Sequence, residues 1–348
     1  MSRVTEVPIL VTGASGFIAL HTIKQLLDRG YRVRGTVRST KDTSKNAPLT
    51  SLSGAAERLE LVEADLNNPA SFVPAMIGVE YVLHIASPYA LTVSDPQRDL
   101  VDPAVNGTKA VLKAAYDAGT VKRVVLTSSC ASISDSFING KVYTEEDWNS
   151  DSSLTRNPYY FSKTKAEQAA WDFVKEKGDK FDLVVINPFI VLGPSLVTSQ
   201  LNESVGFYKD VLSGQQAAGI VDLHFGIVDV RDVALAHILA MENPAAKGRY
   251  ICWNRTLSMA EVIQLVRERF PAFTSRLPTR HLPTFIVKIA AWFKEAGVRD
   301  YLRCSLGRIP VLDHTKIVSE LGLTFRDADQ TIVETCQWLI DNRHVTAP

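Results

Sequence analysis

The sequence predicts a doubly wound α/β protein, a parallel sheet wrapped by helices on both faces, with a smaller, mostly helical lobe towards its C-terminus. Three observations lead there. From the start to about residue 190, short β-branched runs alternate with helical patterns. Several of these runs are apolar at consecutive positions, as strands buried on both faces must be. After Pro194 the alternation gives way to helical patterns, so the chain divides at residues 1–193 and 194–348, with some of the second part crossing back to the sheet.

The strands, in order, fall at residues 9–11, 33–37, 59–62, 81–85, 124–127 and 183–186, with a short isolated one at 250–253. Asn68-Pro69, Asp102-Pro103 and Asn157-Pro158 each place a capping side chain before a proline whose missing N–H is harmless at the first helical position. Gly30, Gly119 and Gly178 stand where three helices should stop. Ser258-Met259-Ala260-Glu261 is a capping box that opens a helix towards Phe270. Residues 39–53 read as one long loop, and residues 285–293 as a packed helix whose aromatics, with Trp253, belong to the core of the second lobe.

Composition excludes several classes of function. Hydrophobic residues make up 46% of the 348 and charged ones 22%, which is globular usage with enough apolar chain for a large core. The 38 Lys and Arg balance the 38 Asp and Glu, so no bulk field recruits nucleic acid or a membrane, and a small molecule is the expected partner. No run approaches the 18 apolar residues of a bilayer span, and the N-terminus lacks the apolar core of a signal peptide. Cys130, Cys252, Cys304 and Cys336 form no CxxC pair, and the seven histidines show no metal-binding spacing. His84 and His237 read as buried hydrogen-bonded groups, and Cys130 as a small buried hydrophobe. A cytoplasmic protein without a metal, monomeric or homodimeric, is expected.

The first strand runs straight into Gly13-Ala14-Ser15-Gly16-Phe17-Ile18-Ala19, before a helix through residues 20–29. Glycine at such a turn lets the backbone approach a pyrophosphate, whose charge then sits on the N–H groups at the positive end of the helix. A plain tight turn uses glycine equally well, but the first strand of an α/β domain is where dinucleotides bind. The second strand ends in Thr36-Val37-Arg38, with Lys41 and Lys45 following, where an NAD site would carry an acidic side chain. An arginine there pairs with a 2′-phosphate, which predicts NADP(H). Asp65-Leu66 closes the third strand, where the carboxylate either accepts from an adenine amino group or caps the next helix.

Tyr159 and Lys163 stand four apart on a predicted helix, on one face and one turn from each other. A phenol with a pKa of about 10 is a poor acid near neutrality, and an adjacent ammonium together with the positive end of the helix lowers that value. Leu126-Thr127-Ser128-Ser129 ends the fifth strand, at the carboxyl edge where open sheets bind ligands, and a serine hydroxyl there can donate to a carbonyl oxygen. A lone YxxxK is as readily a surface pair. The glycine turn, the basic second-strand end, the serine and YxxxK together make four matches in the right order.

In these motifs the chain resembles the extended short-chain dehydrogenase/reductases, and within them the dihydroflavonol reductase, cinnamoyl-CoA reductase and microbial aldehyde/ketone reductase group. Further motifs that carry the resemblance are Val82-Leu83-His84-Ile85-Ala86-Ser87-Pro88, Val105-Asn106-Gly107-Thr108, Tyr159-Tyr160-Phe161-Ser162-Lys163-Thr164, Asn187-Pro188-Phe189-Ile190-Val191-Leu192-Gly193-Pro194 and Val228-Asp229-Val230-Arg231-Asp232-Val233-Ala234. The resemblance implies a Rossmann platform that holds NADP(H) through Gly13, Ser15, Gly16, Phe17, Ile18, Arg38, Lys45, Asp65, Leu66, Ile85, Ala86, Ser87, Thr127, Tyr159, Lys163, Pro188 and Val191. It also implies hydride transfer to the carbonyl of a small aldehyde or ketone. Ser129 and Tyr159 would bond the oxygen, Tyr159 would give the proton, Lys163 would lower the tyrosine pKa and hold the nicotinamide ribose, and Asn106 would prop the relay or its helix. Ser129 is preferred to Ser128 because the family's active serine is the second of the pair. Ala19 replaces the third glycine of the family turn, as in some microbial carbonyl reductases, which makes that subgroup nearest. Tyr89, Phe189, Phe207 and Tyr208 fall by position against the substrate. Two alternatives share the fold: an NAD-dependent nucleotide-sugar epimerase or dehydratase, and a non-catalytic NADP-binding sensor. The first usually has an acidic second-strand end, and the second typically loses the tyrosine or the lysine.

Overall fold

In the computed structural model, which describes residues 7–87, 93–178, 180–198 and 201–347, strands and helices alternate through the first half as the sequence predicts. They are β1 (Ile9–Val11), α1 (Phe17–Asp28), β2 (Val33–Val37), α2 (Thr43–Thr50), α3 (Ala55–Arg58), β3 (Leu59–Glu63), α4 (Phe72–Ala75), β4 (Tyr81–His84), α5 (Asp102–Ala118), β5 (Arg123–Thr127), α6 (Pro158–Lys177) and β6 (Asp182–Pro188). The remainder comprises β7 (Ile190–Leu192), α7 (Glu203–Ser213), β8 (His224–Asp229), α8 (Val230–Glu242), β9 (Gly248–Cys252), β10 (Arg255–Ser258), α9 (Met259–Arg269), α10 (Thr284–Ala291), α11 (Ala296–Ser305), α12 (Thr315–Leu321) and α13 (Ala328–Asp341).

Seven strands form one parallel sheet in the order β3-β2-β1-β4-β5-β6-β9. The order reverses between β1 and β4, and that switch point opens a crevice at the carboxyl ends of the strands. Period-two alternation splits the side chains between two cores. Ile9, Val11, Leu83, Val125 and Val184 pack with α1 and α8, whereas Leu10, Val82, Val124 and Val185 pack with α5 on the opposite face. A three-stranded sheet, β10-β8-β7, stands beside the first and shares a separate core with α7, α9 and α13.

The part after residue 193 is mostly helical, and it crosses back to the main sheet. β9 joins the main sheet, and α8 supplies Val233 and Ala236 to the core shared with α1. Asp229 fastens the lobe back: it accepts from Arg231 and from Thr331 Oγ1 (2.8 Å) on α13, while Arg231 also pairs with Glu334 (2.7 Å).

Three expectations are corrected. Residues 39–53 are not one loop, because α2 forms within them: Asp42 Oδ1 accepts from Lys45 N (3.1 Å), Leu49 is buried, and Asn46 Nδ2 donates back to Ser39 O (3.0 Å). The three residues before proline do not cap with their side chains. Asp102 lies inside a helical segment that starts earlier, where Asp95 Oδ1 accepts from the N–H groups of Gln97 and Arg98 (both 3.1 Å). Asn157 takes a left-handed φ of +48°, and its amide turns to the buried carboxylate of Asp135 (3.3 Å). Lastly, Trp253 is core, but the aromatics of residues 285–293 are not: Trp292 is 77% exposed and Phe293 88%.

The capping box that opens α9 is complete, with Ser258 Oγ accepting from Glu261 N (3.2 Å) and Glu261 accepting from Ser258 N (2.7 Å). Ser258→Ala should lower unfolding free energy by about 1 kcal/mol in urea titrations without changing the m-value. An unchanged midpoint would show that the box contributes nothing.

Candidate active site

The carboxyl ends of β1 and β4 are tied by one hydroxyl. Thr12 Oγ1 accepts from the N–H groups of Ile85 and Ala86 (both 3.0 Å), and its own proton is left for His84 Nδ1 (2.8 Å). Burial lowers the His84 pKa to about 3, so the ring is neutral and able to accept. Gly13 follows with φ +66°, and a Cβ there would lie 3.0 Å from that of Ala86, so only glycine lets the turn pass this close to β4. Gly13 N and Ala14 N bond Thr36 on β2, at Oγ1 (3.0 Å) and O (2.8 Å). Ser15 and Gly16 are exposed beyond the turn. No side chain caps α1 and its first turn has no acid, so its leading N–H groups are open to an anion.

These features fit a dinucleotide: a backbone cradle that a Cβ would fill, a helix end open to its pyrophosphate, and Arg38 exposed at the end of β2. Ser15, Gly16, Phe17 and Ile18 would hold the pyrophosphate, and Arg38 a 2′-phosphate. Lys45 is exposed on α2 with its ammonium on Asp42 (3.1 Å). Asp65 is half-buried after β3 and spends Oδ1 on Asn67 N (2.8 Å), which shapes a turn and does not cap a helix. Leu66 packs where a Cβ on Gly107 would touch it at 3.1 Å. Pro188 ends β6 and Val191 lies half-buried on β7.

Tyr159 and Lys163 share one face of α6, the ammonium 5.9 Å from the phenol ring centre. Lys163 Nζ donates to Ser87 Oγ (2.8 Å) just past β4. Burial alone lowers the lysine pKa to about 8. The serine pair separates cleanly. Ser128 is buried and donates to Glu167 Oε2 (2.5 Å). Ser129 is half-buried and lines a cavity with Tyr159; its Oγ accepts from Ala131 N (3.1 Å), which leaves its proton to donate inward. Thr127 is engaged elsewhere: Val233 O can only accept, so His237 Nδ1 carries a proton (2.7 Å) and Nε2 accepts the Thr127 hydroxyl (2.6 Å). Asn106 is exposed on α5, and among the described residues it bonds none of Ser129, Tyr159 and Lys163. Tyr89 lies outside the described residues.

No motif in the sequence marked the group behind this trio. Glu167 continues the stripe of Tyr159 and Lys163 at the next turn of α6, and its carboxylate is fully buried. Besides Ser128 it takes Arg249 Nε (2.6 Å) from β9, Asn187 Nδ2 (2.9 Å) from β6 and Trp171 Nε1 (3.3 Å). Ser132 Oγ lies 2.6 Å from the same carboxylate and 2.7 Å from Ser129 O. Arg249 is satisfied in turn by the carbonyls of Glu145 and Asp147. Acidic residues on helices are rarely buried unless paired, and the partner sits 82 residues away, so spacing alone gave no warning.

The cavity in front of Ser129 and Tyr159 measures about 360 Å³ and is mainly apolar, walled by Phe137, Tyr160, Phe189, Phe207, Phe225 and Tyr301. Tyr208 also lines it, so three of the four aromatics expected at the substrate do so. Gly226 on β8 makes room for the Phe189 ring, which a Cβ would meet at 2.6 Å. Cys130 lines the cavity beside Ser129 with its thiol pKa pushed up by burial, the inert condition expected of a packed cysteine. Among the described residues, Glu203 is the one charged side chain in the wall.

This arrangement matches known proteins along most of the chain. The profile of the NAD dependent epimerase/dehydratase family covers residues 9–254. Cinnamoyl-CoA reductase 1 of Petunia hybrida is 38% identical, covering 100% of this chain and 96% of that protein. Dihydroflavonol 4-reductase of Zea mays is 32% identical over 94% of this chain and 88% of its own length. The crystal structure of Gre2 from Candida albicans in complex with NADPH is 32% identical and superimposes with a TM-score of 0.82, covering 97% of this chain and 99% of that one. The chain belongs to the NAD dependent epimerase/dehydratase family, within the extended short-chain dehydrogenase/reductases.

The Lys163 ammonium is held at a cost. Its folded pKa of about 8 lies below the ordinary 10.5, so between those values the unfolded chain binds more protons and stability rises with pH. Below pH 8 the full penalty of about 3 kcal/mol is present. Lys163→Met should therefore raise the unfolding free energy of the cofactor-free protein at pH 7 and flatten its rise between pH 8 and 10.5. A variant less stable than the parent at every pH would contradict this.

Proposed function

We propose that this extended short-chain dehydrogenase/reductase, an NADP(H)-dependent oxidoreductase acting on carbonyl groups, reduces a small neutral aldehyde or ketone with an apolar or aromatic body to the alcohol. The observation that carries the reading is that Ser129 and Tyr159 line one aromatic cavity at the carboxyl edge of the sheet, with the Lys163 ammonium beside the Tyr159 ring. An aromatic lining favours an apolar substrate, and Glu203 disfavours a carboxylate or phosphate inside the cavity.

NADPH, when bound, supplies the hydride that adds to the carbonyl carbon. The chain's own residues handle the oxygen. Ser129 Oγ–H and Tyr159 Oη–H donate to it, which polarises the carbonyl and fixes the face presented. As negative charge grows on the oxygen, Tyr159 transfers its proton and the alcohol forms. The phenolate left behind is stabilised by the Lys163 ammonium and by the first turn of α6, which begins at Pro158. Ser87 orients that ammonium from the opposite side. The aromatic walls keep bulk water from competing for the two donors.

Arg38 at the end of β2, where the second strand carries no acid, supports NADP(H) over NAD, and Tyr159 and Lys163 are both in place for turnover. The family profile bears the epimerase/dehydratase name, but the relatives matched over nearly the whole chain are reductases, which favours reduction over that alternative.

Loss of NADPH absorbance with aryl ketones and aldehydes should be readily measured for the parent protein. Tyr159→Phe should lower kcat by about a thousandfold and Ser129→Ala by about a hundredfold, with Ser128→Ala retaining far more activity. Equal loss in the two serine variants would contradict the assignment of Ser129. As pH rises past about 8, kcat/KM for reduction should fall because Lys163 loses its proton; a flat profile to pH 10 would contradict its role.

A further inference from the structure

α10 is packed the wrong way round for a core helix. Its inward residues are the modest Val287 and Ala291, both buried, while the large side chains point out. Phe285 is 65% exposed, Ile286 45% and Ile289 61%, followed by Trp292 and Phe293 just past the helix end. These five positions, at i, i+1, i+4, i+7 and i+8, fall within an arc of about 120° at 100° per residue, so they form one stripe. Lys288 and Lys294 flank the stripe on its two sides, and both are exposed, as is Arg280. From residue 279 to 294 there is no acid, so this segment carries a charge of +3 in a chain whose net charge is zero. Glu295 and Asp300 follow.

We propose that this face docks on an anionic lipid surface, with the aromatic stripe at the level of the acyl chains and Lys288, Lys294 and Arg280 at the headgroups. An apolar stripe with Trp and Phe between lysines is the chemistry of an interfacial helix. Two copies apposed through the same face would bring like charges together, which disfavours a second copy as the occupant. α10 has 8 residues, and no helix among the described residues is long and apolar enough to cross a membrane, so the contact lies on the surface. The placement also matters for the cavity. α11 follows at once, and Gly297, Val298 and Tyr301 form part of the cavity wall, so a docked α10 would hold that wall next to the lipid from which an apolar carbonyl compound could enter. This consequence rests on the reductase reading, whereas the docking itself does not.

The test is co-sedimentation of the full chain with vesicles of phosphatidylcholine alone or mixed equally with phosphatidylserine. The protein should pellet with the mixed vesicles, be released by salt, and bind about tenfold more weakly as the Trp292→Ser, Phe293→Ser double variant. That variant should keep its thermal midpoint and its NADPH turnover on soluble substrates, which separates failure of docking from failure of the reductase reading. No pelleting with either vesicle, or equal pelleting of parent and variant, would overturn the proposal. So would light scattering that shows a dimer which the double variant dissolves, because the face would then cover a second copy.

Discussion

The buried ion pair of Glu167 with Arg249 is the interaction on which the rest of the site depends. Taking a carboxylate and a guanidinium out of water costs several kcal/mol per ion, and the cost is offset only if every remaining lone pair and proton is used. Here they are used by groups that matter. Ser128 and Ser132 bracket Ser129, Asn187 precedes the end of β6, and Arg249 draws β9 and the segment at residues 145–147 to the same point. Because Glu167 stands eight residues beyond Tyr159 on α6, the pair fixes that helix in rotation as well as in position. The tyrosine, the lysine and the serine are thereby held by one network, which an apolar core of the same volume would not do with the same directional precision.

The cofactor edge depends on a second constraint, close approach of backbone. Thr12 bridges β1 to the residues after β4 with all its hydrogen-bonding capacity, and Gly13 then passes where no side chain fits. The positive end of α1 is thus placed over the switch point of the sheet and left uncapped. Electrostatics in this protein is local: a neutral chain carries an exposed arginine at the end of β2, a carboxylate in the cavity wall and a cationic, aromatic face on α10. Net charge alone speaks for none of them.

Much of this was legible from residue order, because parallel strands buried on both faces leave consecutive apolar residues and a nucleotide turn needs glycine at fixed places. The six early strands, the glycine turn and the spacing of Tyr159 with Lys163 follow from local rules, whereas the choice of Ser129 over Ser128 rests on the family resemblance. What escaped depends on long-range packing. Glu167 and Arg249 meet across 82 residues, and a lone acid in a helix signals solvent, not burial. α2 was hidden by a polar composition that its Asp42 cap and the buried Leu49 override. The aromatics after Phe285 looked like core because hydrophobicity says that a side chain prefers burial, not that the fold provides it. Asn106, matched by family resemblance, stands exposed on α5 and, among the described residues, makes no bond to the trio.

The most direct measurement is a double-mutant cycle on Glu167→Gln and Arg249→Met, reading both unfolding free energy and kcat for NADPH-dependent carbonyl reduction. Removing Arg249 alone leaves a buried, uncompensated carboxylate and should cost about 3–5 kcal/mol of stability, with a marked fall in kcat. Removing both should restore much of the stability, giving a coupling of about 2 kcal/mol or more, while kcat stays low because Ser128 and Ser132 have lost the charged partner that orients them. Additive losses in stability, or a double variant that folds and turns over like the parent, would contradict the claim that this pair organises the site.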